Sequence, residues 1–262
     1  MRIRLIVLAL ILTFACILVV GGRQRHSFSR QDRYWEQAEH EIRYRSPAQL
    51  KAQHEDELSR GIFFKEIIHG NPAIRSVALT FDDGPHPDFT PKILKILKDN
   101  NVKATFFVIG KMVERYPDGI RLMIKDGDTV GNHSFHHVNL TKLTYSQVRL
   151  EWQATNDVIW SITNHDTDFC RPPGGDYNQT VIDAATAEGI TTVLWTDDPA
   201  DYAEPGSKHI ESRVLWRISN GGIILLHDGI QQTVDVLPDL IRRIKKMGFR
   251  FVTIEEMDRE KQ

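Results

Sequence analysis

From about residue 77, the chain alternates short, continuously apolar runs with segments whose apolar residues recur at helical spacing. Residues 77–81 form one such run and predict a buried strand. The following stretch, 90–99, carries its apolar side chains on one helical face. The same alternation returns at 184–195 and at 240–254. Because the predicted strands are apolar throughout, rather than at every second position, they indicate a parallel sheet covered on both faces.

Ionisable residues come directly after these predicted strands. Parallel strands bring their carboxyl ends to one mouth of a barrel, and barrel enzymes build their active sites there. The region 77–254 is shorter than the ~250 residues of an eight-unit barrel, so we predict an α/β fold, a distorted (β/α) barrel with about seven strands. The ionisable strand-end residues are Asp82, Asp83, His133, Arg171, Asp197, Asp198, His227 and Asp228.

The start of the chain has a different pattern. Residues 5–22 are apolar apart from Thr13, and two arginines precede them. As a helix they would span about 27 Å at ~1.5 Å per residue, the lower end of what crosses a bilayer. A signal anchor and a cleaved signal peptide both fit residues 1–30, and both place the body outside the cytoplasm. The charge-rich stretch 31–70 predicts a solvated helical stalk, which leaves 71–262 as the catalytic domain.

Composition excludes several classes of protein. The chain has 262 residues, of which 41% are hydrophobic and 26% charged, and this is ordinary for a globular protein. Its 33 Lys and Arg against 35 Asp and Glu leave a net charge of −2, so we expect no nucleic-acid partner. The two cysteines, Cys16 and Cys170, are predicted to be free thiols because Cys16 lies in the apolar N-terminal run. We expect a monomer.

Two short motifs fit a metal site. Asp82 and Asp83 are adjacent carboxylates whose repulsion a cation would relieve, although Asp-Gly-Pro is also common turn chemistry. His133 and His137 are four residues apart, so on one helical turn both imidazoles would project to the same side. Together with a strand-end aspartate they would form a three-ligand set that leaves a fourth position open for water.

Three further motifs fit an active site, and each also has an ordinary structural explanation. Arg171 precedes a stiff Pro-Pro pair, so its guanidinium could hold a carboxylate in a fixed orientation, or simply lie in a surface loop. Asp198 and Asp201 could be functional acids or helix caps. His227 emerges from a buried apolar run, where a histidine bonded to a backbone carbonyl is the common alternative.

Taken together and in this order, the motifs resemble those of the polysaccharide deacetylase (NodB-homology) domain of carbohydrate esterase family four. Residues 80–85 read Thr-Phe-Asp-Asp-Gly-Pro, 133–137 His-Ser-Phe-His-His, 171–173 Arg-Pro-Pro, 198–202 Asp-Pro-Ala-Asp-Tyr and 225–227 Leu-Leu-His. The resemblance extends over about residues 77–254. It implies a metal-dependent hydrolase that removes N-acetyl groups from N-acetylated glycans.

The resemblance also implies which residues carry the reaction. Asp82 matches the family's general base, and Arg171 matches the residue that orients this base. His227 matches the general acid, and Asp201 the carboxylate behind it. The implied metal is Zn²⁺, with Co²⁺, Ni²⁺ or Mn²⁺ as alternatives. The implied metal ligands are Asp83, His133 and His137.

The implied substrate site departs from the family pattern. Tyr202 stands where the family has Trp, Gly174 stands where an aromatic residue is common, and Asp197 stands where an apolar residue is usual. We expect the acetyl methyl group to contact Leu225. The residues expected to line the sugar groove are Pro173, Gly174, Tyr177 and Tyr202.

Peptidoglycan is the expected glycan, with chitin and poly-N-acetylglucosamine as alternatives, because an anchored, outward-facing body with few cysteines suits a bacterial envelope. Two other functions compete with this one. One is a catalytically silent glycan-binding module, and the other is a metal hydrolase of a different amide or ester. The presence of every reaction residue that the resemblance implies argues against the silent module.

Overall fold

The run predicted as the first buried strand lies inside the sheet, with neighbouring strands on both sides. In the computed structural model, which describes residues 42–260, this strand extends from Ser76 to Asp82, and all of its side chains are buried. The strands, in chain order, are β1 (Glu66–Ile67), β2 (Ser76–Asp82), β3 (Thr105–Val108), β4 (Thr129–Asn132), β5 (Phe169–Cys170), β6 (Thr191–Val193), β7 (Gly222–His227) and β8 (Arg250–Val252).

Helices between the strands cover the sheet. The predicted apolar stripe of residues 90–99 is confirmed, because Ile93, Leu94 and Leu97 are buried. The helices are α1 (Pro47–Ser59), α2 (Thr90–Asp99), α3 (Gly110–Arg115), α4 (Pro117–Asp126), α5 (Tyr145–Thr163), α6 (Gln179–Ala187), α7 (Ser207–Arg217), α8 (Gln231–Lys246) and α9 (Ile254–Arg259). Three short 3₁₀ turns occupy Leu140–Lys142, Pro173–Gly175 and Asp201–Ala203.

All strand pairs are parallel, as the continuous apolar runs predict. The order across the sheet is β1-β6-β5-β4-β3-β2-β7. On the side of β2 away from β7, β8 pairs with its first half at Ser76–Ala78 and β3 with its second half at Thr80–Asp82. The described residues contain eight strands, of which β2–β8 are the seven in the region predicted to form the barrel. The two-residue β1 lies upstream of the predicted barrel.

The sheet curls until its two sides meet. Beyond β6, Asp197 forms an isolated parallel bridge with Ile224 of β7. The backbone N–H of Leu225 donates to the carbonyl of Asp197 at 2.9 Å, and the N–H of Asp197 donates to the carbonyl of Ile223 at 3.1 Å. This single bridge takes the place of a continuous ladder, so the barrel is closed only locally. The predicted distorted barrel is confirmed.

Successive side chains of β2 point to opposite faces of the sheet. Val77, Leu79 and Phe81 pack in a core cluster with apolar side chains of α2 and α8. Ala78 belongs to a second cluster, which includes Phe107 and Leu225 from neighbouring strands. Thr80 and Asp82 follow Ala78 at two-residue spacing and therefore share its face. The last side chain of β2 is thus turned toward the barrel interior.

The part of the predicted stalk that the structure describes is packed against the barrel. It contains α1 as predicted, but Leu50 of this helix is fully buried, and β1 pairs with β6 through Glu66 and Thr192. Arg45 forms an ion pair with Asp176 at 2.8 Å. The apolar side chain of Leu50 and the pairing of β1 explain the difference. Residues 42–70 thus pack against the barrel, whereas the sequence predicts a solvated stalk there.

The predicted membrane segment, residues 5–22, lies outside the described residues, as does the first part of the predicted stalk. Within residues 42–260, no helix combines the length and the apolar character needed to cross a bilayer.

Candidate active site

The register of the sheet brings the predicted strand-end residues to one mouth of the barrel. Asp82, the last residue of β2, pairs with His227, the last residue of β7. Asn132, which ends β4, pairs with Cys170, which ends β5. His133 directly follows Asn132, and Arg171 directly follows Cys170. The convergence predicted from the sequence is therefore confirmed.

Asp83, His133 and His137 form one cluster. Their potential ligand atoms all lie within 4.8 Å of one another. The Nε2 atom of His137 lies 3.1 Å from Asp83 Oδ1, and that of His133 lies 3.4 Å from the same oxygen. The Nδ1 atom of His133 is 2.8 Å from the carbonyl oxygen of Arg171. A proton on Nδ1 would bond this carbonyl, which leaves the lone pair of Nε2 directed into the cluster.

The two histidines converge for a different reason from the one predicted. Residues 133–139 are a loop without helical structure, so the prediction of a shared helical turn is wrong. Left-handed backbone at Ser134 (φ 64°) and His137 (φ 55°) folds the loop back on itself. The hydroxyl of Ser134 accepts the backbone N–H of His137 at 3.0 Å, and Glu151 accepts the next two N–H groups upstream. The ring nitrogen Nδ1 of His136 is hydrogen-bonded to Glu151 Oε1, away from the cluster.

The donor set of this cluster fits a divalent metal ion. Asp83 Oδ1 is buried and has no hydrogen-bond partner among residues 42–260, an arrangement that is costly unless a cation occupies the space beside it. Although burial raises the pKa of Asp83, His137 and His133 together hold it well below its ordinary value, so the carboxylate is ionised. One carboxylate oxygen and two imidazole nitrogens suit Zn²⁺ and several related ions.

Asp82 lies beside the cluster in a fixed orientation. Its Oδ1 atom accepts from Nη1 of Arg171 at 2.7 Å, while its Oδ2 atom is 3.7 Å from His133 Nε2. Arg171 is fully buried and also donates to the hydroxyl of Thr80 and to two backbone carbonyls. Its guanidinium lies 4.1 Å from the ring centroid of Phe107. Arg171 thus fixes one oxygen of Asp82 and leaves the other free toward the metal cluster.

His227 and Asp201 form a second buried pair at the mouth. The Nδ1 atom of His227 is 2.7 Å from Asp201 Oδ1, and its backbone N–H donates to Asp201 Oδ2 at 2.7 Å. Thr233 donates its hydroxyl to the same Oδ2 atom at 2.5 Å. Burial alone would lower the pKa of His227, but the charge and hydrogen bond of Asp201 raise it to about 9. His227 therefore carries a proton at neutral pH.

The predicted substrate residues divide into two groups. Leu225, Pro173 and Gly174 are buried within or beside the mouth, and Tyr202 is 37% exposed with its ring centroid 5.2 Å from that of His227. Tyr177 differs from its prediction as a groove residue, because it is only 3% exposed. Its hydroxyl donates to Glu57 of α1 at 3.0 Å, so it holds the N-terminal helix rather than lining a sugar groove.

Tyr177 belongs to a second cluster that could offer three metal ligands, His54, Glu57 and Glu66. Glu57 accepts hydrogen bonds from Tyr177 and Gln53, and His54 is 2.8 Å from Glu66. These contacts join α1 to β1 and to the barrel. We interpret the cluster as a structural clamp.

Two buried acids near the mouth have raised pKa values. Burial raises the pKa of Asp197 to about 7, and neither of its carboxylate oxygens has a hydrogen-bond partner within the described residues. Asp197 lies at the bridge that closes the barrel. Burial likewise raises the pKa of Asp228 to about 7, and the hydroxyl of Thr90 donates to this carboxyl. A Cβ atom on Gly84 would lie 2.5 Å from Asp228 Oδ2, which explains why this turn requires glycine.

Sequence reasoning missed one residue at the mouth, Tyr44. Its ring stacks on that of Tyr202 with centroids 5.0 Å apart and planes at 17°. Burial and then the charge of Asp83 raise its pKa, which is consistent with a position beside the metal cluster. No motif marks the segment that carries it. The only signal in the sequence was the absence of an aromatic side chain at Gly174.

Comparisons with known proteins agree with this geometry. A family model described as polysaccharide deacetylase matches residues 69–193. A Bacillus cereus protein named peptidoglycan-N-acetylglucosamine deacetylase is 37% identical over 195 residues, which cover 71% of this chain and 89% of the relative.

Two solved structures are similar over most of the described residues. Bacillus subtilis PdaA, a family 4 carbohydrate esterase, gives a TM-score of 0.73 at 31% identity and covers 80% of this chain and 90% of its own. BA3943 from Bacillus anthracis, a CE4 family pseudoenzyme, gives a TM-score of 0.72 at 31% identity. The match covers 75% of this chain and 70% of the BA3943 chain. The sequence relative, the shared barrel and the matching motif positions lead to one conclusion: the chain belongs to the polysaccharide deacetylases of carbohydrate esterase family four.

Proposed function

We propose that this protein hydrolyses the N-acetyl amide of N-acetylated glycans, with peptidoglycan as its substrate, and releases acetate and a free sugar amine. One observation carries the proposal. Asp82, fixed by Arg171, lies beside the three-ligand cluster, whose Asp83 is ionised, and a protonated His227 lies at the same mouth. A base, an acid and a metal site in one buried mouth are the groups that metal-assisted hydrolysis of an amide uses.

The cluster of Asp83, His133 and His137 would hold a divalent ion. Such an ion supplies Lewis acidity, which makes water a better nucleophile and polarises the amide carbonyl. We propose Zn²⁺ as the resident metal, because two imidazoles and one carboxylate with an open position are typical of catalytic zinc sites.

The reaction needs two proton transfers, and the chain has a group placed for each. The free oxygen of Asp82 accepts a proton from water as the water oxygen bonds to the carbonyl carbon, and Arg171 keeps that carboxylate in position. The amine of the sugar is too basic to leave unprotonated. His227 donates its proton to this nitrogen as the C–N bond breaks, and Asp201 stabilises the imidazolium beforehand.

Relatives support peptidoglycan as the substrate. Proteins named peptidoglycan-N-acetylglucosamine deacetylase from Bacillus cereus and peptidoglycan-N-acetylmuramic acid deacetylase PdaA from Bacillus subtilis are 37% and 34% identical to this chain. We also propose that the protein is a monomer that acts outside the cytoplasm, anchored through residues 5–22 or released after their cleavage. Peptidoglycan lies outside the membrane, and the apolar N-terminal run with its basic flank fits such export.

The similarity to a pseudoenzyme favours one alternative, a glycan-binding protein without activity. Acetate release separates the two functions. Purified full-length protein with Zn²⁺ should release acetate from peptidoglycan or from N-acetylglucosamine oligomers, with loss of acetyl groups visible by mass spectrometry. The Asp82→Asn variant is the matched control and should release none. Binding of these glycans by the wild type without any acetate release would support the silent module instead.

A further inference from the structure

The residues just before α1 cross the active-site mouth. We define this N-terminal strap as residues 42–46. Its backbone is fixed at the third motif, because the N–H of Arg45 donates to the carbonyl of Gly174 at 2.8 Å. The guanidinium of Arg45 also pairs with Asp176, whose side chain is 6% exposed. The strap is therefore attached to the loop that is expected to line the sugar groove.

Gly174 is the residue that lets the strap lie this close. Its backbone is left-handed, at φ +66°, and a Cβ atom there would collide with the carbonyl oxygen of Arg43. The side chain of Ile42 also lies 3.0 Å from that Cβ position. A larger residue at 174 and this path of the strap exclude each other. The missing aromatic side chain at position 174 and the presence of the strap are thus parts of one arrangement.

The strap brings an aromatic ring to the mouth. Tyr44 stacks on Tyr202, and Tyr202 meets His227 edge to face with centroids 5.2 Å apart. Tyr44 is 53% exposed and Tyr202 37%, although both lie beside buried reaction residues. Two parallel, partly exposed tyrosine rings next to the proton donor form an apolar wall with polar hydroxyl edges. Such a surface suits the C–H face of a pyranose ring and its hydroxyl groups.

We propose that Tyr44 is a substrate-contacting residue, and that with Tyr202 it forms an aromatic wall that holds an N-acetylated pyranose unit at the mouth. The wall compensates for the aromatic side chain absent at Gly174. This inference rests on the proposed glycan deacetylase function and adds a determinant of substrate recognition that comes from outside the barrel motifs. Because the wall binds the sugar and not the reacting amide, its loss should weaken binding and spare the chemical step.

The test is steady-state deacetylation of N-acetylglucosamine oligomers by the full-length Zn²⁺-loaded protein. Tyr44→Ala should raise KM roughly tenfold with kcat changed about twofold or less, and Tyr44→Phe should restore KM because it keeps the stacking ring. Tyr145→Ala, which removes another exposed tyrosine at the start of α5, is the control and should leave both constants unchanged. An unchanged KM for Tyr44→Ala would overturn the proposal.

A second variant tests the strap without touching either ring. Gly174→Ala should displace Arg43 and with it Tyr44, and so raise KM as Tyr44→Ala does. Gly189→Ala is the matched control, because it has similar left-handed backbone, at φ +79°, but no atom within 4 Å of its Cβ position. A KM that rises equally in both glycine variants would show backbone strain instead of strap displacement, and would contradict the proposal.

Two outcomes separate this inference from the proposed function. If the wild type releases no acetate from any glycan, the proposed function fails, and calorimetric binding of the oligomers to wild type and Tyr44→Ala still measures the wall. If the wild type is active and Tyr44→Ala lowers KM, the strap obstructs the mouth instead of binding sugar. That result would overturn the wall while leaving the deacetylase function intact.

Discussion

The reaction centre and the aromatic wall occupy the same mouth but are built differently. In the reaction centre, buried residues at strand ends hold one another across the sheet, as Arg171 holds Asp82 and Asp201 holds His227. The aromatic wall consists of exposed rings, one of which comes from a segment outside the barrel strands. The chemistry is thus fixed by the sheet register, whereas the surface that meets the sugar depends on a strap held by few contacts.

This difference indicates where amino-acid substitutions should be tolerated. Moving any residue of the reaction centre leaves a buried charge or donor unpaired, which costs stability as well as activity. Replacing a ring of the wall alters exposed area and leaves the buried network intact. We therefore expect substitutions in the reaction centre to act on kcat and substitutions in the wall to act on KM.

The largest effect should come from Asp82→Asn. The amide cannot accept a proton from water, so kcat should fall about 10³-fold or more. The amide oxygen can still accept from Arg171, so the fold should persist. Acetate release under saturating substrate measures kcat, and circular dichroism with thermal unfolding checks the fold. Near-normal turnover would exclude Asp82 as the base.

A smaller effect, with a distinct pH signature, should come from Asp201→Asn. Asp201 raises the pKa of His227 to about 9, against the effect of burial. Without this charge the pKa falls, so the alkaline limb of the kcat profile, where His227 loses its proton, should move to lower pH. We also expect kcat at neutral pH to fall about a hundredfold.

The matched control for the pH experiment is Asp198→Asn, since Asp198 lies on the same loop but makes no hydrogen bond to His227 among the contacts of the described residues. Its charge still acts on His227 across space, so its alkaline limb should move clearly less than that of Asp201→Asn. An unchanged limb in Asp201→Asn would show that His227 does not act as the acid through this pair.

The smallest effect should come from Arg45→Ala. This change removes the ion pair with Asp176 but keeps the backbone bond of the strap to Gly174 and keeps Tyr44 itself. We expect a KM increase of about twofold to threefold with kcat unchanged, because the Arg45 side chain is partly exposed and the backbone bond still holds the strap. A drop in kcat without a change in KM would place the strap in the reaction centre and remove the distinction between the two regions.

The parts of the molecule that could be predicted from the sequence are those that local chemistry marks. Continuous apolar runs predicted parallel strands, and acids and histidines just after them predicted the mouth. Asp82, Asp83, His133, Arg171 and His227 converge there because the strands share one direction and one register. Their order along the chain was sufficient to place them without knowledge of any contact.

The parts that could not be predicted depend on contacts between distant segments. His133 and His137 converge through left-handed backbone in a loop, which a spacing of four residues does not distinguish from a helical turn. Tyr177 bonds Glu57, far away along the chain. The charge-rich sequence before the barrel concealed Leu50 and the short β1, so a packed segment resembled a stalk. Tyr44 carries no motif at all.

The most direct test of the central claim is the metal content of the purified full-length protein after equilibration with Zn²⁺ and removal of excess ion. We predict about one Zn²⁺ per chain in the wild type and in Asp82→Asn, and none in His137→Ala, because Asp83, His133 and His137 supply the ligands and Asp82 does not. Full Zn²⁺ occupancy in His137→Ala, or its loss in Asp82→Asn, would contradict this assignment.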